Sequence, residues 1–277
     1  MPAVGPLAHF ASPTGSSAVI LRYFNCRGRG QALRYLLIDY GIEFVDERFE
    51  ADVSWSTFKG AAQGGPFGSL PVLHWGEHTV GQALAIAGYL TRSLGLDQRR
   101  DCENLALLES VTSAAYLDLT CVVRDLLRPR VMPNDEQWPA FFAGFLDSVP
   151  ARLPAFERLL SEQGTPFFGG AEPAAADYFV FEAVDAWLEL LGVRFVAALA
   201  TCPRLREHHG AVFARPNLNA YLASGSRPGP LTASPHEPEI RERLSKSLAS
   251  EEGAYDSAEK RDLVIDMFSA MGRDDGS

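Results

Sequence analysis

Apolar positions first gather at residue 18, where the run Ala18-Val19-Ile20-Leu21-Arg22-Tyr23-Phe24 predicts a strand. A helical period follows. Leu33, Leu36, Leu37 and Tyr40 recur at i, i+3, i+4 and i+7, which predicts a helix from about Gly28 to Tyr40. A second strand is expected near Ile42 to Phe49, followed by a loop that carries Trp55 and Lys59. Pro71 to Trp75 and His78 to Val80 read as two short strands around the turn Gly76-Glu77, and a helix begins near Gly81.

The order β-α-β, loop, β-β-α describes a parallel pair joined by a right-handed crossover, then a hairpin and a closing helix. This is a thioredoxin-like arrangement, so the fold class expected for residues 18–95 is α/β. Beyond residue 95 the period is helical. Asp101 to Leu127, Trp138 to Leu160, Ala174 to Leu191 and Pro203 to Leu222 each carry apolar residues at helical spacing, separated by loops containing Pro or Gly. An all-α domain, a helical bundle over 96–232, follows. Residues 1–17 are rich in Pro, Gly, Ser and Ala without periodicity and are expected to form a flexible leader. Residues 233–277 read as an acidic tail: from Pro235 onward there are 11 acidic and 6 basic residues, and most of it is expected to be disordered. Within it Asp256 and Glu259 resemble a capping pair, and Val264, Met267, Phe268 and Met271 share one face, which predicts a short amphipathic helix ending near Gly272.

Composition narrows the class further. A chain of 277 residues, 47% apolar and 22% charged, is globular and long enough for two domains. No run approaches eighteen uninterrupted apolar residues, and the first residues lack the basic start and apolar stretch of a secretory signal, so cytoplasmic residence away from membranes is expected. A formal charge of −10 argues against nucleic acid as a partner. Cys26, Cys102, Cys121 and Cys202 lie at irregular spacings with no Cys-x-x-Cys, which indicates neither a zinc site nor a disulfide framework. His74 and His78 straddle a hairpin turn, and no metal is expected there or elsewhere.

Three segments carry chemistry. Tyr23 places a phenol at a strand's C-terminal end, Ser69-Leu70-Pro71-Val72-Leu73 a proline at a strand entrance, and Gly81-Gln82-Ala83 a polar side chain on a helix N-terminus. A thiol is a poor nucleophile until ionised, and a phenol O–H donated to sulfur stabilises the thiolate. Lowering a thiol pKa by roughly two units takes about 2.7 kcal/mol. One charge-assisted hydrogen bond supplies about 1.5–3 kcal/mol. The free N–H groups and dipole of the helix that opens at Gln82 and Ala83 suit a carboxylate. Together the three segments read as a site for a peptide thiol, glutathione.

Tyr23-Phe24-Asn25 with Arg27-Gly28-Arg29, Trp55 and Lys59, Phe67-Gly68-Ser69-Leu70-Pro71-Val72-Leu73, Gln82-Ala83-Leu84-Ala85-Ile86 with Tyr89-Leu90, Ala176-Asp177, and the Pro203-x-Leu pattern ending at Tyr221-Leu222 resemble the cytosolic glutathione transferases. The resemblance spans roughly residues 18 to 232 and is closest to the tyrosine-type, sigma-like members. It implies glutathione as co-substrate and Tyr23 as the catalytic residue. It also implies Arg29, Trp55, Lys59, Ser69, Leu70, Pro71, Gln82 and Ala83 as glutathione contacts, with a cis Leu70-Pro71 bond turning the Leu70 backbone towards the ligand. The family is homodimeric, and the resemblance implies that Glu109 reaches the γ-glutamyl amine in the neighbouring subunit. An apolar electrophile would sit between the domains against Phe24, Tyr116, Thr120 and Val123.

Two residues depart from the family pattern. Ala83 stands where relatives usually carry Ser, a loss of about 1 kcal/mol in glutathione affinity. Ala174 stands where a Ser or Thr would cap the helix before Asp177, a loss of about 1 kcal/mol in stability. Cys26 is one residue early for the nucleophile of cysteine-type members, which falls at Arg27 when counted back from Arg34. The expected function is therefore thiolate conjugation to an electrophile. A glutathione-dependent isomerase or peroxidase of the prostaglandin D synthase kind, and a non-catalytic glutathione-binding protein, are the alternatives.

Overall fold

The computed structural model describes residues 18–51, 53–60, 65–97 and 101–249; the expected leader and the expected amphipathic helix near residues 256–272 lie outside them. Strand β1 (Val19–Phe24) buries alternate residues Val19, Leu21 and Tyr23, as the period-two pattern requires. Helix α1 (Gln31–Asp39) carries the chain across to β2 (Phe44–Phe49), parallel to β1. Strand β3 (Val72–Trp75) pairs antiparallel with β1 and β4 (His78–Gly81) with β3, giving the order β2-β1-β3-β4. Helix α3 (Ala83–Ser93) closes this half.

One expected loop is a helix. Val53–Gly60 forms α2, where Trp55 stacks on Phe58 with centroids 6.1 Å apart. Eight residues are too few for helical periodicity to stand out from loop composition.

The second half is helical. Helix α4 (Cys102–Ala114) is capped by Asp101, whose Oδ1 accepts from the Asn104 N–H at 2.8 Å. The expected single helix to Leu127 is interrupted by a π-helical stretch, Ala115–Thr120, before α5 (Cys121–Leu127). Such a widened turn frees a carbonyl, and the Trp187 indole N–H donates to Leu119 O at 3.2 Å. The run Cys102–Leu127 is long and apolar enough to cross a membrane by length and composition alone, yet Leu108, Val111, Leu119 and Val123 are buried in the core shared with the next long helix.

The expected helix Trp138 to Leu160 is two, α6 (Trp138–Ser148) and α7 (Leu153–Gln163), separated by a 3₁₀ turn that starts at Pro150. Helix α8 (Ala175–Leu191) is the central element, with every residue but Glu189 buried. Gly192, at φ 48°, ends it, and α9 (Val193–Leu199) follows. The expected helix from Pro203 divides into α10 (Pro203–Phe213) and α11 (Pro216–Ala223), because Pro216 holds the preceding Arg215 extended.

Residues 237–249, part of the stretch expected to be mostly disordered, instead form α12 (Glu237–Ala249). Ile240 and Leu244 are buried, the Trp138 indole donates to Ser247 Oγ at 2.9 Å, and the Arg243 guanidinium lies 4.3 Å from the Trp138 ring. Glu237 in its first turn is buried with Ile240 and Leu244, while Glu239 and Glu242 are exposed.

Polar contacts join the two halves. Tyr178 donates to Asp39 Oδ2 at 2.6 Å, Arg215 also donates to that carboxylate, and Tyr40 donates to Pro173 O at 2.6 Å. At the start of α8, Asp177 accepts from the N–H groups of Phe168 (2.7 Å), Gly169 (3.1 Å) and Ala174 (2.7 Å), and His208 Nε2 lies 2.9 Å away. Ala174 has no side-chain oxygen, so only the Asp177 half of a capping box exists.

Candidate active site

Strand register explains why segments far apart in sequence meet. Arg22 pairs with Val72 and Val72 with Gly81, so the next positions, Tyr23, Pro71 and Gln82, lie together at one end of the sheet. The Leu70-Pro71 bond is cis, as the family resemblance implies. Leu70 packs with Tyr23 in one buried cluster, against which Phe24, Phe49 and Trp55 rest.

Tyr23 is nearly enclosed, and burial pushes its phenol up to about 12. At neutral pH the group is therefore an O–H donor. Its oxygen accepts from the Arg29 N–H at 3.0 Å, which leaves its own proton free for an acceptor in front of it. The ring is held by absent atoms as much as by present ones. A Cβ on Gly30 would meet Tyr23 Cδ1 at 2.5 Å, and one on Gly28 would meet its Oη at 2.7 Å.

Arg29 lies beside both Tyr23 and Tyr116; burial alone would lower its guanidinium, but these two phenols outweigh that and raise it. Trp55 meets Phe24 edge-on at 5.6 Å. Lys59 is exposed, and a Cβ on Gly68 would lie 3.6 Å from Lys59 Cε, so this cation sits beside the turn leading to Ser69 and Leu70. Gln82 is exposed at φ 72° and ψ 126°, a positive φ outside glycine that points to a functional constraint. Ala83 is buried at the first position of α3, and no side chain caps that helix's N–H groups.

A cavity of about 50 Å³ opens in front of Tyr23. Of the residues expected around an electrophile, Phe24, Thr120 and Val123 line it and Tyr116 does not; Arg29, expected as a glutathione contact, lines it too and is hydrogen-bonded to Tyr116. Sequence reasoning missed Gly28, Arg124, Arg128, Glu182, Ala186 and the segment Leu231-Thr232-Ala233, which complete the wall. Only Gly28 carried a signal, through its neighbours in Arg27-Gly28-Arg29; the others come from helices and a strap remote in sequence. The strap is tied to the loop that follows β1: Arg27 N–H donates to Pro230 O at 2.9 Å and Gly28 N–H to Leu231 O at 2.8 Å. Glu237 holds the strap in turn, accepting from Leu231 N–H at 2.9 Å and Thr232 N–H at 2.7 Å.

Glu109 lies elsewhere. It is exposed, 3.5 Å from Arg92, and lines a groove of about 500 Å³ between α3 and α4. Cys26 is buried, and burial pushes its thiol up to about 12 against the opposing pull of Arg34, so it stays protonated.

Residues 138–225 match the family model described as glutathione S-transferase, C-terminal domain. Glutathione S-transferase P of Homo sapiens is 31% identical over 209 residues, 73% of this chain and 90% of that protein. The chain belongs to the glutathione S-transferase family. Among solved structures, the Pi-class glutathione S-transferase of Onchocerca volvulus superposes with TM-score 0.63 at 25% identity, over 76% of this chain and 94% of that one. Rat hPGDS complexed with a quinoline gives TM-score 0.61 at 25% identity, over 78% of this chain and all of that one (100%). The half sheet, half helix architecture of this transferase is therefore the one its relatives share.

Proposed function

We propose that this glutathione S-transferase binds glutathione at the sheet end formed by Tyr23, Leu70 and Gln82, and that Tyr23 donates its O–H to the sulfur so that the thiolate attacks an electrophile. The observation that carries the reading is the Tyr23 hydroxyl: neutral, enclosed, already accepting from Arg29 N–H, with its own proton uncommitted. The α3 N-terminus and Gln82 take the γ-glutamyl carboxylate, the Leu70 backbone pairs with the cysteinyl unit, and Ser69, Trp55, Lys59 and Arg29 complete the tripeptide's surroundings. Phe24, Thr120 and Val123 receive the electrophile. Tyrosine-type membership is part of this proposal; within it the sigma-like assignment competes with the Pi class, to which the Onchocerca volvulus structure belongs.

The same reading makes the protein a cytoplasmic homodimer. Phe67 is 67% exposed, an unusual state for a large apolar side chain, and the α3–α4 groove that contains Glu109 offers it a partner surface. Light scattering at micromolar concentration should give twice the chain mass; a monomer that retains full activity would remove Glu109 from the site.

The decisive experiment is a pH titration of thiolate ultraviolet absorbance for bound glutathione. Ionisation well below the free thiol's pKa, lost in Tyr23→Phe together with roughly 10- to 100-fold in kcat/KM, is expected. Glutathione that binds without ionising would leave a binding protein rather than an enzyme.

A further inference from the structure

Helix α12 lies beyond residues 138–225, the stretch that matches the family model, and its first residue, Glu237, is buried. The two oxygens of Glu237 take four donors. Oε1 accepts from Leu231 N–H and from Arg241 Nε, each at 2.9 Å; Oε2 accepts from Thr232 N–H at 2.7 Å and from the Thr232 hydroxyl at 2.8 Å. The strap is neither helix nor strand, so this carboxylate supplies what a strand partner would for the buried N–H groups of Leu231 and Thr232.

Two routes lead from Glu237 to the loop after β1. Along the backbone, the carbonyls of Pro230 and Leu231 accept from Arg27 N–H at 2.9 Å and Gly28 N–H at 2.8 Å. Along the side chains, Arg241 donates to Glu189 at 2.8 Å, and Glu189 accepts from Arg27 at 2.6 Å. Both routes end just before the Arg29 N–H that donates to the Tyr23 hydroxyl at 3.0 Å. Little slack remains there, since a Cβ on Gly28 would meet Tyr23 Oη at 2.7 Å. Ala233 of the strap packs against the buried cluster of Tyr23, Cys26, Leu70 and Val72. Thr232 and Ala233 line both the cavity in front of Tyr23 and a groove of about 660 Å³ that reaches Phe49 and Arg241, so the strap stands between the two. A hydroxyl that accepts a hydrogen bond is polarised to donate a stronger one. The placement of the Arg29 N–H therefore bears on how firmly Tyr23 holds a thiolate.

We propose that Glu237 is a positioning residue for the thiol chemistry: by fixing the strap it holds Arg27 and Gly28 in place, keeps the Arg29 N–H on the Tyr23 hydroxyl, and so sets how strongly bound glutathione ionises. This rests on the transferase reading above and extends its working parts past the matched domain, to a helix that touches neither glutathione nor electrophile.

Two measurements on the full chain test this. In the wild type, hydrogen exchange should give the amides of Arg27, Gly28, Leu231 and Thr232 one common opening free energy, because strap and loop open together. Arg27 and Gly28 amides that exchange independently of the strap would overturn the proposal, a result that needs no variant to fold. In Glu237→Gln, whose amide nitrogen cannot accept, the same amides should lose protection. Thiolate absorbance of bound glutathione at acidic pH should then fall about tenfold, the equivalent of one pKa unit. With an activated aryl chloride as electrophile, kcat should fall in step at acidic pH and recover at alkaline pH, where glutathione ionises without help, while KM for glutathione stays near the wild-type value. A kcat loss equal at every pH, or a thiolate titration unchanged from the wild type, would make Glu237 a stabilising contact only and overturn the proposal. No thiolate in the wild type would remove the transferase reading and this role with it, an outcome distinct from a normal wild-type titration that the variant leaves unmoved.

Discussion

Helix α8 buries three carboxylates, Asp177, Glu182 and Asp185, and the first two are held in opposite ways. Asp177, in the first turn, has both oxygens engaged, by three backbone N–H groups and by His208. Glu182, further along, has one oxygen held by Arg27 and one shielded oxygen without a partner among the described residues. Burial is nearly the same, 0% and 2% exposed. What separates the two is therefore how many lone pairs of each carboxylate the protein itself satisfies.

The largest effect should come from breaking the satisfied side. Asp177→Ala strands three backbone donors and is expected to cost about 3–5 kcal/mol in urea unfolding; a loss under about 1 kcal/mol would show that the α8 start is held by packing alone. On the cavity side, Gly30→Ala forces the Tyr23 ring to move, so kcat/KM should fall roughly tenfold or more while far-ultraviolet circular dichroism stays native. Retained activity would mean that the ring can tolerate the displacement. Ala174→Ser supplies the missing capping oxygen next to Asp177 and should raise unfolding free energy by about 1 kcal/mol, with no change in glutathione affinity by calorimetry. The smallest stability change, within about 0.5 kcal/mol, is expected for Glu182→Gln, whose amide oxygen still accepts from Arg27. A cost comparable to that of Asp177→Ala would erase the distinction between the two carboxylates.

Much of this was legible in residue order. The strand ending at Tyr23, the entrance at Pro71 and the helix at Gln82 announce themselves through period and turn chemistry, and strand register then brings them together. The helix breaks at Pro150 and Pro216 were readable too, since each proline removes a donor and constrains its predecessor, but continuous apolar spacing masked them. In α12 the spacing of Ile240, Leu244 and Leu248 is helical, and the surrounding charge hid it. The pairing of Arg27 with Glu182 had no local trace: a charged residue reads as surface, and its partner lies 155 positions away. The same distance problem concealed Leu231, Thr232 and Ala233, whose place on the cavity wall depends on tertiary packing alone.

The strap bonds from Arg27 and Gly28 to Pro230 and Leu231 also set a timetable. As the chain leaves the ribosome, the thioredoxin-like half is made first and can pair its strands early. The loop behind its tyrosine, however, finds its backbone acceptors only after some 200 further residues have been synthesised, and Glu237 must then arrive to fix them. A nascent chain would thus carry a formed sheet and an unfinished loop behind Tyr23 until the segment from Pro230 to Glu237 has been made.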